Sequence, residues 1–459
     1  MIHASARDAR VAWHARWVLP IVSAPLRDAA VVVDGERIVW VGPSAHAEAG
    51  RHEQLGEAIL MPGLVNAHTH LELTSLRGFL EALPFRDWLR TLTEVRANVL
   101  DTRALTDAAR FGVSEALRAG ITTVADCSAS GAPMDAMRDA GIRGRVYLET
   151  FGPDVAQVST AMQGLRDGVS RLQARATLLV GVGISPHAPY TVSVPLFRAV
   201  AEYARDERLP VATHVAESAA EVAFVRHGAG PFAERLLARD IAVSPTQSSP
   251  IALLDNAGLL DVQPLCIHAI HTDTTDLQRI ADSGSTVVHC PISNAKLGQG
   301  IAPLHAMRDA GIAVGLGTDS VASNDRMDLI AEARQAVLLQ SLATATPDAL
   351  SAADALDLAT RGGARALGLS DIGTLAAGQW ADLCAFRCDA FEAAPVYDPE
   401  VLLVHVLGTG ARAALTMVAG RVLVRDGIEL AFDDAVRVRV MADGQIVQEY
   451  ARVGPGLSE

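Results

Sequence analysis

The chain has 459 residues, of which 50% are hydrophobic and 20% charged, a composition that supports a large core and excludes a disordered protein. Its formal net charge of −14 argues against a nucleic-acid partner, because phosphate recognition depends on lysine and arginine. The five cysteines form no CxxC pair and no leader-like or membrane-spanning apolar run is present, so we expect a cytoplasmic protein without disulfides or a membrane anchor.

Short β-like runs occupy the N-terminal part of the chain. Residues 30–33 and 37–41 are apolar runs separated by Asp34-Gly35, a dipeptide typical of hairpin turns. The same pattern recurs after residue 371, where GTLAAGQWADLCAF and ALTMVAGRVLVRDG contain short apolar runs between glycines. We therefore predict that residues 1–60 and 371–459 together form one small β-sandwich domain, with the rest of the chain inserted between them.

The middle of the chain, residues 61–370, repeats a short apolar run that is mostly followed by a stretch with helical spacing. Eight such runs end in polar residues, namely His68 and His70, Asp126, Glu149, His187, His214, His268, His289 and Asp319. Eight strand-then-helix units imply parallel strands that close into a (β/α)8 TIM-like barrel of the α/β class, with the polar residues at one mouth. A doubly wound open sheet is the alternative, which the number of runs and the absence of GxGxxG and GxxxxGK[ST] motifs disfavour.

His68 and His70, in MPGLVNAHTHLEL, stand two residues apart at the end of the first predicted barrel strand. Side chains at this spacing share one face of a strand and can bind one ion together. Because the chain has 14 histidines, two hydrogen-bonded residues at a strand end explain the pair equally well. The motif alone leaves both interpretations open.

Three further polar residues end different predicted strands on the same face: His214, His268 and Asp319. Neutral imidazoles and a carboxylate suit zinc or a similar first-row ion, such as iron or manganese, and leave a position for water. The pKa of such a water falls to ~7 in favourable zinc sites. The sequence therefore predicts one divalent metal ion and hydrolytic chemistry.

Several segments, in order and spacing, resemble the amidohydrolase superfamily, in the branch of triazine hydrolases and aminopurine deaminases. They are PGLVNAHTHLE, THVAE, HCPISNAKLGQG, GLGTDSVASN and GTLAAGQWADL, and the resemblance covers nearly the whole chain. It implies a metal-dependent hydrolase in which a metal-activated water attacks the substrate.

The resemblance also implies roles for individual residues. His68, His70, His214 and Asp319 would be the metal ligands, and Glu217 and His268 would serve the reaction without holding the ion. Asp319 would take the proton from water, and His268 would orient that water by hydrogen bonding. Glu217 would shuttle a proton, for which a buried carboxyl group is suited. An ordinary glutamate at a helix start is the alternative for Glu217.

The only lysine, Lys296, lies beyond the seventh predicted strand, so the two-metal pattern with a carboxylated lysine on the fourth strand does not apply and one metal is expected. The fourth strand ends instead at His187, for which we predict a substrate contact, with a structural role as the alternative. His271 is the second candidate for the role of His268. His289 is expected to be a packed, hydrogen-bonded histidine behind the site, and Lys296 to form a salt bridge on a loop.

The resemblance favours hydrolytic deamination of an aminopurine-like ring or nucleoside, such as aminodeoxyfutalosine, methylthioadenosine or S-adenosylhomocysteine. The third strand ends at Glu149, where deaminases of S-adenosylhomocysteine tend to place an arginine that binds carboxylate, which puts that substrate in doubt. Hydrolysis of C–N or C–Cl bonds in triazine, guanine or cytosine rings is the alternative. A non-catalytic scaffold is a further alternative, although every expected metal ligand is present.

A long loop follows the first barrel strand and is expected to cover the mouth. Arg77, Trp88 and Glu94 on this loop are candidate substrate contacts together with Glu149, although each also fits a bracing or packing role. The motif HTHLE, which ends at Glu72, resembles the corresponding motif of futalosine-pathway deaminases. A homo-oligomer is expected, because such enzymes commonly form one.

Overall fold

The computed structural model describes residues 9–408 and 410–453; residues 1–8, Thr409 and 454–459 of the predicted β domain lie outside the described residues. Five strands come first: β1 (Val11–Val18), β2 (Leu26–Asp34), β3 (Arg37–Pro43), β4 (Arg51–Gln54) and β5 (Ala58–Pro62). The two predicted apolar runs fall inside β2 and β3, which form an antiparallel hairpin. Gly35 has a φ of +57° at its turn, a conformation that glycine adopts without the strain of a Cβ.

Eight parallel strands form the centre of the molecule. They are β6 (Leu64–Thr69), β7 (Ile121–Ser128), β8 (Arg143–Thr150), β9 (Val180–Pro186), β10 (Ala212–Val215), β11 (Leu265–His268), β12 (Thr286–His289) and β13 (Val314–Leu316). Two runs of four strands meet through parallel bridges between Ile184 and Val211 and between Thr69 and Asp319. The strands therefore close into a ring, and the predicted TIM-like barrel is confirmed.

Helices follow the barrel strands and surround them. They are α1 (Phe85–Asn98), α2 (Thr102–Arg118), α3 (Pro133–Ala140), α4 (Val158–Gln173), α5 (Val194–Glu207), α6 (Ala219–His227), α7 (Pro231–Leu237), α8 (Pro250–Asn256), α9 (Thr274–Ser283), α10 (Pro291–Lys296), α11 (Leu304–Asp309), α12 (Val321–Asn324), α13 (Leu329–Thr344), α14 (Ala352–Asp357) and α15 (Gly363–Ala366). Helix α1 belongs to the long loop after the first barrel strand. Within the described ranges, no helix is both long and apolar enough to span a membrane.

The C-terminal part of the chain returns to the N-terminal strands. After β14 (Leu383–Arg387) come α16 (Pro399–Val401), β15 (Ala413–Val418), β16 (Arg421–Arg425) and β17 (Ile428–Glu429). Strand β14 pairs antiparallel with β5, which joins both ends of the chain in one nine-stranded sheet. Val31, Ile38, Leu383 and Met417 from its two halves share one buried cluster, as the layers of a sandwich do. The division of the chain at residues 60 and 370 stays a prediction.

One long helix, α17 (Asp434–Val453), lies in the range that the sequence analysis assigned to the β domain. It packs on α2 of the barrel, where Arg439 Nε lies 2.7 Å from Asp107 Oδ2 and Arg103 Nη2 lies 2.6 Å from Asp443 Oδ1. Val447 is buried in the same contact. The sequence analysis did not predict this helix.

A buried ion pair links the barrel to the nine-stranded sheet. Arg143 begins β8, and its Nε lies 2.7 Å from Oδ2 of Asp382, which precedes β14. The second carboxylate oxygen lies 3.2 Å from Arg143 Nη2 and accepts a hydrogen bond of 2.7 Å from the backbone N–H of Ala419. Both side chains are buried, so each charge depends on the other for compensation.

The variant Asp382→Ala is expected to lower the free energy of unfolding by about 3–5 kcal/mol, because it leaves a buried guanidinium unpaired. Urea unfolding at pH 7 measures this change. The matched control is Asp371→Ala, whose partner Arg37 and own side chain are 41% and 47% exposed and which should cost at most about 1 kcal/mol. Equal losses in both variants would show that the buried pair does not join the two parts of the fold.

Candidate metal centre and active site

Three histidine rings converge at the carboxyl end of the barrel. His68 lies in β6, His70 directly follows it, and His214 lies in β10. The ring centroids of His68 lie 4.9 Å from those of His70 and 5.0 Å from those of His214. One nitrogen from each of the three rings lies within 4.8 Å of the others. This spacing allows the three nitrogens to hold one ion.

Asp319 completes the cluster from the segment after β13. Its Oδ1 lies 3.2 Å from His68 Nε2 and 3.6 Å from His70 Nε2. Its Oδ2 accepts hydrogen bonds from the hydroxyls of Ser293, at 2.5 Å, and Ser323, at 3.0 Å. The carboxylate is therefore fixed with one oxygen towards the histidines.

The backbone at Asp319 is held by the barrel junction itself. Its φ of +56° lies in the left-handed region, which costs energy for a non-glycine residue and persists where surrounding contacts impose it. Here the N–H of Asp319 donates to the carbonyl of His68 at 3.0 Å, and Thr69 Oγ1 donates to the carbonyl of Asp319 at 3.0 Å. The contacts that close the barrel thus place the carboxylate beside His68.

Burial sets the charges of these groups. Burial lowers the pKa of His68 to about 4 and that of His214 well below its usual value, so both rings are neutral at pH 7 and offer a lone pair. Burial opposes ionisation of Asp319, but its hydrogen bond with His68 and the nearby imidazoles outweigh this and hold its pKa well below the usual range. Neutral imidazoles and an ionised carboxylate are the donors that a first-row divalent cation prefers, so the residues fit such an ion.

His268 and Glu217 lie beside this cluster. His268 Nδ1 lies 2.9 Å from Asn294 Oδ1, and His268 Nε2 lies 3.6 Å from Glu217 Oε1. His268, His68 and Asp319 also form a group whose ligand atoms lie within 4.8 Å of one another. His271, the second candidate, is half-buried and is not among the residues that line the cavity described below. The structure thus brings His268 rather than His271 to the cluster.

Glu217 is positioned by a second buried glutamate. It follows β10 just before Ser218, the N-cap of α6, so it does stand at a helix start. The backbone N–H groups of Ala216 and Glu217 donate to the Glu221 carboxylate at 2.8 and 3.0 Å, which leaves the Glu217 side chain free to face His268. Burial, reinforced by the negative charge of Asp319, raises the pKa of Glu217 well above its usual value. Burial therefore favours the protonated form of this group.

A cavity of about 440 Å³ lies over the cluster, within the usual size range of small-molecule sites. Much of its wall is apolar, formed by Phe85, Trp88, Leu89, Leu92, Tyr190, Phe232 and Leu236. Eight of the residues proposed from the sequence also line it: His70, Trp88, Glu149, His187, His214, Glu217, His268 and Asp319. His68 lies just beneath, 1% exposed.

Glu149 and His187 lie next to the histidine cluster. Together with His214 they form a group whose ligand atoms lie within 4.8 Å of one another. His187 Nδ1 lies 2.7 Å from the Thr191 hydroxyl, and burial lowers its pKa to about 3. Burial raises the pKa of Glu149 to about 7, and among the described residues its Oε1 has no hydrogen-bond partner. Both side chains are therefore placed to contact a ligand.

Two of the candidate substrate contacts on the loop after β6 do not reach the cavity. Arg77 forms an ion pair with Glu115 on α2, which is the bracing role named as its alternative. Glu94 is half-buried and is not among the lining residues, whereas Arg96, two positions on, is. Trp88 both packs and lines the cavity, and its Nε1 donates to the carbonyl of Ala322 at 3.4 Å.

Two other expectations meet different outcomes. Lys296 pairs with Glu81 at 2.9 Å and with Asp325, so the predicted salt bridge is confirmed, but Lys296 is the last residue of α10 and not part of a loop. His289 is fully buried behind the site as expected, but neither ring nitrogen has a hydrogen-bond partner among the described residues. The prediction of a hydrogen-bonded His289 is therefore wrong. The ring is packed there in its neutral form, because burial lowers its pKa to about 3.

Sequence reasoning missed several cavity residues. Glu72 was noticed only for its motif, yet it accepts hydrogen bonds from Arg96 at 2.8 Å and from Ser128 at 2.5 Å at the cavity wall. Helix α7 was not predicted to approach the cavity at all. Its lining residues are spaced three and four positions apart, and this helical spacing is the one signal in the sequence that could have identified them. The spacing does not show which part of the molecule the helix packs against.

Comparison with known proteins agrees with this geometry. The family model described as Amidohydrolase family matches residues 59–447. A methylthioadenosine/S-adenosylhomocysteine deaminase of Nitratidesulfovibrio vulgaris is 34% identical over 420 residues, which are 89% of this chain and 90% of that protein. The chain belongs to the Amidohydrolase family, as the sequence motifs predict.

Two solved structures share the complete fold. An adenosine deaminase from Xanthomonas campestris with bound zinc has a TM-score of 0.85 and 30% identity, covering 96% of this chain and 98% of that chain. An atrazine chlorohydrolase from Arthrobacter aurescens complexed with zinc has a TM-score of 0.81 and 26% identity, covering 95% of this chain and 100% of that chain. These similarities extend over both the barrel and the nine-stranded sheet.

The variant His214→Ala is expected to lose bound metal, because it removes one of the converging nitrogens. Elemental analysis after gel filtration should find about one divalent ion per chain in the parent protein and almost none in the variant. The control is His305→Ala, which removes an exposed histidine that pairs with Asp309 on α11 and should keep the ion. Undiminished metal in folded His214→Ala protein would remove His214 from the ligand set.

Proposed function

We propose that the protein is a metal-dependent hydrolase acting on carbon–nitrogen bonds, a deaminase of an adenosine derivative such as methylthioadenosine. The observation that carries this proposal is the buried, protonatable Glu217, placed 3.6 Å from His268 beside three histidines and an aspartate. The deaminase relative at 34% identity and the adenosine deaminase structure at 30% support it. Adenosine derivatives carry their amino group on an aromatic ring, and such groups leave as ammonia only after protonation.

We propose zinc as the ion held by His68, His70, His214 and Asp319, since both solved relatives described above contain zinc. A bound zinc ion supplies Lewis acidity, which brings the pKa of a coordinated water towards ~7. One ion is proposed, because the lysine that would be needed for a bridged pair is absent from the fourth strand.

The chain's own residues handle the protons. In the net reaction, water adds to the ring carbon that carries the amino group, and ammonia leaves. Asp319 is ionised and accepts a proton from the attacking water. His268, whose Nδ1 faces the Asn294 oxygen, presents Nε2 to the cavity, where it accepts a hydrogen bond and orients that water. Glu217 donates its proton to the substrate and so makes ammonia a competent leaving group.

Glu149, His187 and Trp88 are proposed to contact the substrate. The Oε1 of Glu149, which has no partner among the described residues, can pair with a hydroxyl or amino group of the ligand, and His187 and His214 lie beside it. A carboxylate at this depth disfavours an anionic group of the substrate nearby. Arg77 and Glu94 are not part of this proposal.

Dechlorination of a triazine is the second candidate, favoured by the 26% identity with the atrazine chlorohydrolase. Chloride, unlike ammonia, does not need a proton to depart, so the raised pKa of Glu217 favours deamination. A non-catalytic scaffold would not need to retain all four ligands and the proton donor in one cavity.

A homo-oligomer in the cytoplasm is also proposed. The five cysteines are buried and free, as is usual where thiols stay reduced. Phe391 and Tyr397 are more than nine-tenths exposed, and aromatic side chains of this kind are enriched at protein interfaces. The acidic chain is proposed to bind small molecules and not nucleic acid.

Purified protein is expected to release ammonia from methylthioadenosine or a related adenosine derivative, to stop after chelation and to recover when zinc is added. A coupled ammonia assay across aminopurine nucleosides, guanine, cytosine and aminotriazines measures this, and a chloride assay with a chlorotriazine runs beside it. Chloride release that exceeds ammonia release from every aminopurine would establish the second candidate instead.

The variant Glu217→Gln is expected to keep its metal and to lose about 10²–10⁴-fold in kcat, the usual contribution of a general acid or base. Glutamine has the same size but cannot donate a proton from a carboxyl group. Glu207→Gln, at an exposed position of α5, is the matched control and should retain full turnover. Near-parent activity in Glu217→Gln would refute the proton-shuttle assignment.

A further inference from the structure

Helix α7 turns one face towards the active-site cavity. Phe232, Arg235, Leu236 and Arg239 all line the cavity, and their spacing of three and four residues places them on one side of the helix and of the turn that continues it. Phe232 and Leu236 are buried, whereas Arg235 and Arg239 are exposed. This wall is therefore apolar in its depth and cationic where it reaches solvent.

The two guanidinium groups are unpaired. Within residues 9–408 and 410–453, neither Arg235 nor Arg239 takes part in an ion pair or a side-chain hydrogen bond. The third arginine of the cavity, Arg96, differs because its Nη2 lies 2.8 Å from Glu72 Oε1. Like charges four positions apart on one helical face repel each other, and within the described residues no acidic side chain pairs with either arginine.

The apolar part of the same face belongs to an aromatic platform formed by Phe232, Tyr190 and Phe85. Phe232 stacks on Tyr190 with ring centroids 4.0 Å apart and planes 6° apart, and Phe85 meets Phe232 edge-on at 6.3 Å. Tyr190 lies close to Glu217 on the deep side, since the charge of Glu217 contributes to the raised pKa of Tyr190. The platform therefore leads from the reacting centre towards the two arginines.

The polar groups of the lining change along this path from carboxyl groups to guanidinium groups. At the deep end, Glu149 and Glu217 line the cavity, and at the open end Arg235 and Arg239 line it. A ligand with a neutral ring at depth and an anionic group at its far end complements this distribution. An anionic group at the deep end would instead meet carboxyl groups.

We propose that Arg235 and Arg239 bind an anionic group, a carboxylate or a phosphate, on the end of the substrate that is remote from the reacting ring. This inference rests on the proposed deaminase function and deepens it. The preferred substrates are aminopurine nucleosides with an acidic substituent carried beyond the ribose, and the arginines select them by charge-assisted hydrogen bonds.

The test uses two thioadenosines that differ only in charge. One carries a carboxymethyl group on its sulfur and the other a carbamoylmethyl group, and methylthioadenosine and adenosine monophosphate complete the series. The zinc-loaded parent protein should favour the carboxymethyl over the carbamoylmethyl compound by about tenfold or more in kcat/KM, mainly through KM. A greater preference for the monophosphate would identify phosphate as the better anion.

The double variant Arg235→Ala/Arg239→Ala is expected to reduce that preference to about onefold, while kcat/KM for neutral methylthioadenosine changes by less than about threefold. The preference of the parent protein should also decline with added salt, because exposed charges are screened. The matched control, Arg171→Ala/Arg198→Ala, removes the same charge from exposed positions of α4 and α5 and should keep the preference. An unchanged preference in the α7 variant, or none in the parent protein, overturns the inference.

Calorimetry separates this inference from the proposed function. Zinc-loaded Glu217→Gln protein is titrated with the carboxymethyl and carbamoylmethyl compounds, with and without the two α7 substitutions. If the carboxymethyl compound binds more tightly than the carbamoylmethyl compound, and only when both arginines are present, the inference is supported even if no compound releases ammonia. If the neutral compounds all release ammonia but the carboxymethyl and carbamoylmethyl compounds bind equally, the proposed deaminase function is retained and the anion site is rejected.

Discussion

The geometry of the metal centre depends on the junction between the first and last barrel strands. Thr69 and Asp319 bridge the strands there, and the N–H of Asp319 donates to the carbonyl of His68 at 3.0 Å. The same few residues therefore close the barrel and bring a carboxylate against two imidazoles. Barrel closure needs a fixed register between neighbouring strands, so the fold cannot close in this register without assembling part of the metal centre.

Burial then determines what the assembled groups can do. The rings of His68 and His214 are neutral because charging them in the interior is unfavourable, and a neutral ring is the form that binds a cation. The same burial raises the pKa of Glu217 and so favours its protonated form. One property of the barrel mouth thus produces both the donors for an ion and the acid for a leaving group. Glu221 completes this arrangement, because it fixes the backbone that carries Glu217.

The sequence predicts best what lies at strand ends. His68, His70, His214, His268 and Asp319 could be grouped because parallel strands bring their carboxyl ends to one rim. Positions on the long loop after β6 could not be assigned, because tertiary contacts decide which side chains face the cavity. On α1 Arg96 faces it and Glu94 does not, and Arg77, before α1, pairs with Glu115. The approach of α7 to the cavity was missed for the same reason, since an amphipathic pattern shows that a helix packs but not on which neighbour. Helix α17 was not predicted at all, because its range was assigned to the β domain.

The cavity also explains how an acidic protein can favour an acidic ligand. The net charge of −14 acts at long range and is screened by salt within about 10 Å at 0.1 M, whereas recognition depends on groups in contact. At the open end those groups are the guanidiniums of Arg235 on α7 and Arg239 just after it, both unpaired within the described residues. At the deep end they are carboxyl groups, of which Glu149 has a pKa of about 7. A bound anion would therefore be held at the open end by the arginines, away from the buried carboxyl groups, whose raised pKa values favour their neutral forms. This arrangement sets the orientation of a bound substrate, with its neutral amino-bearing ring towards the metal ligands.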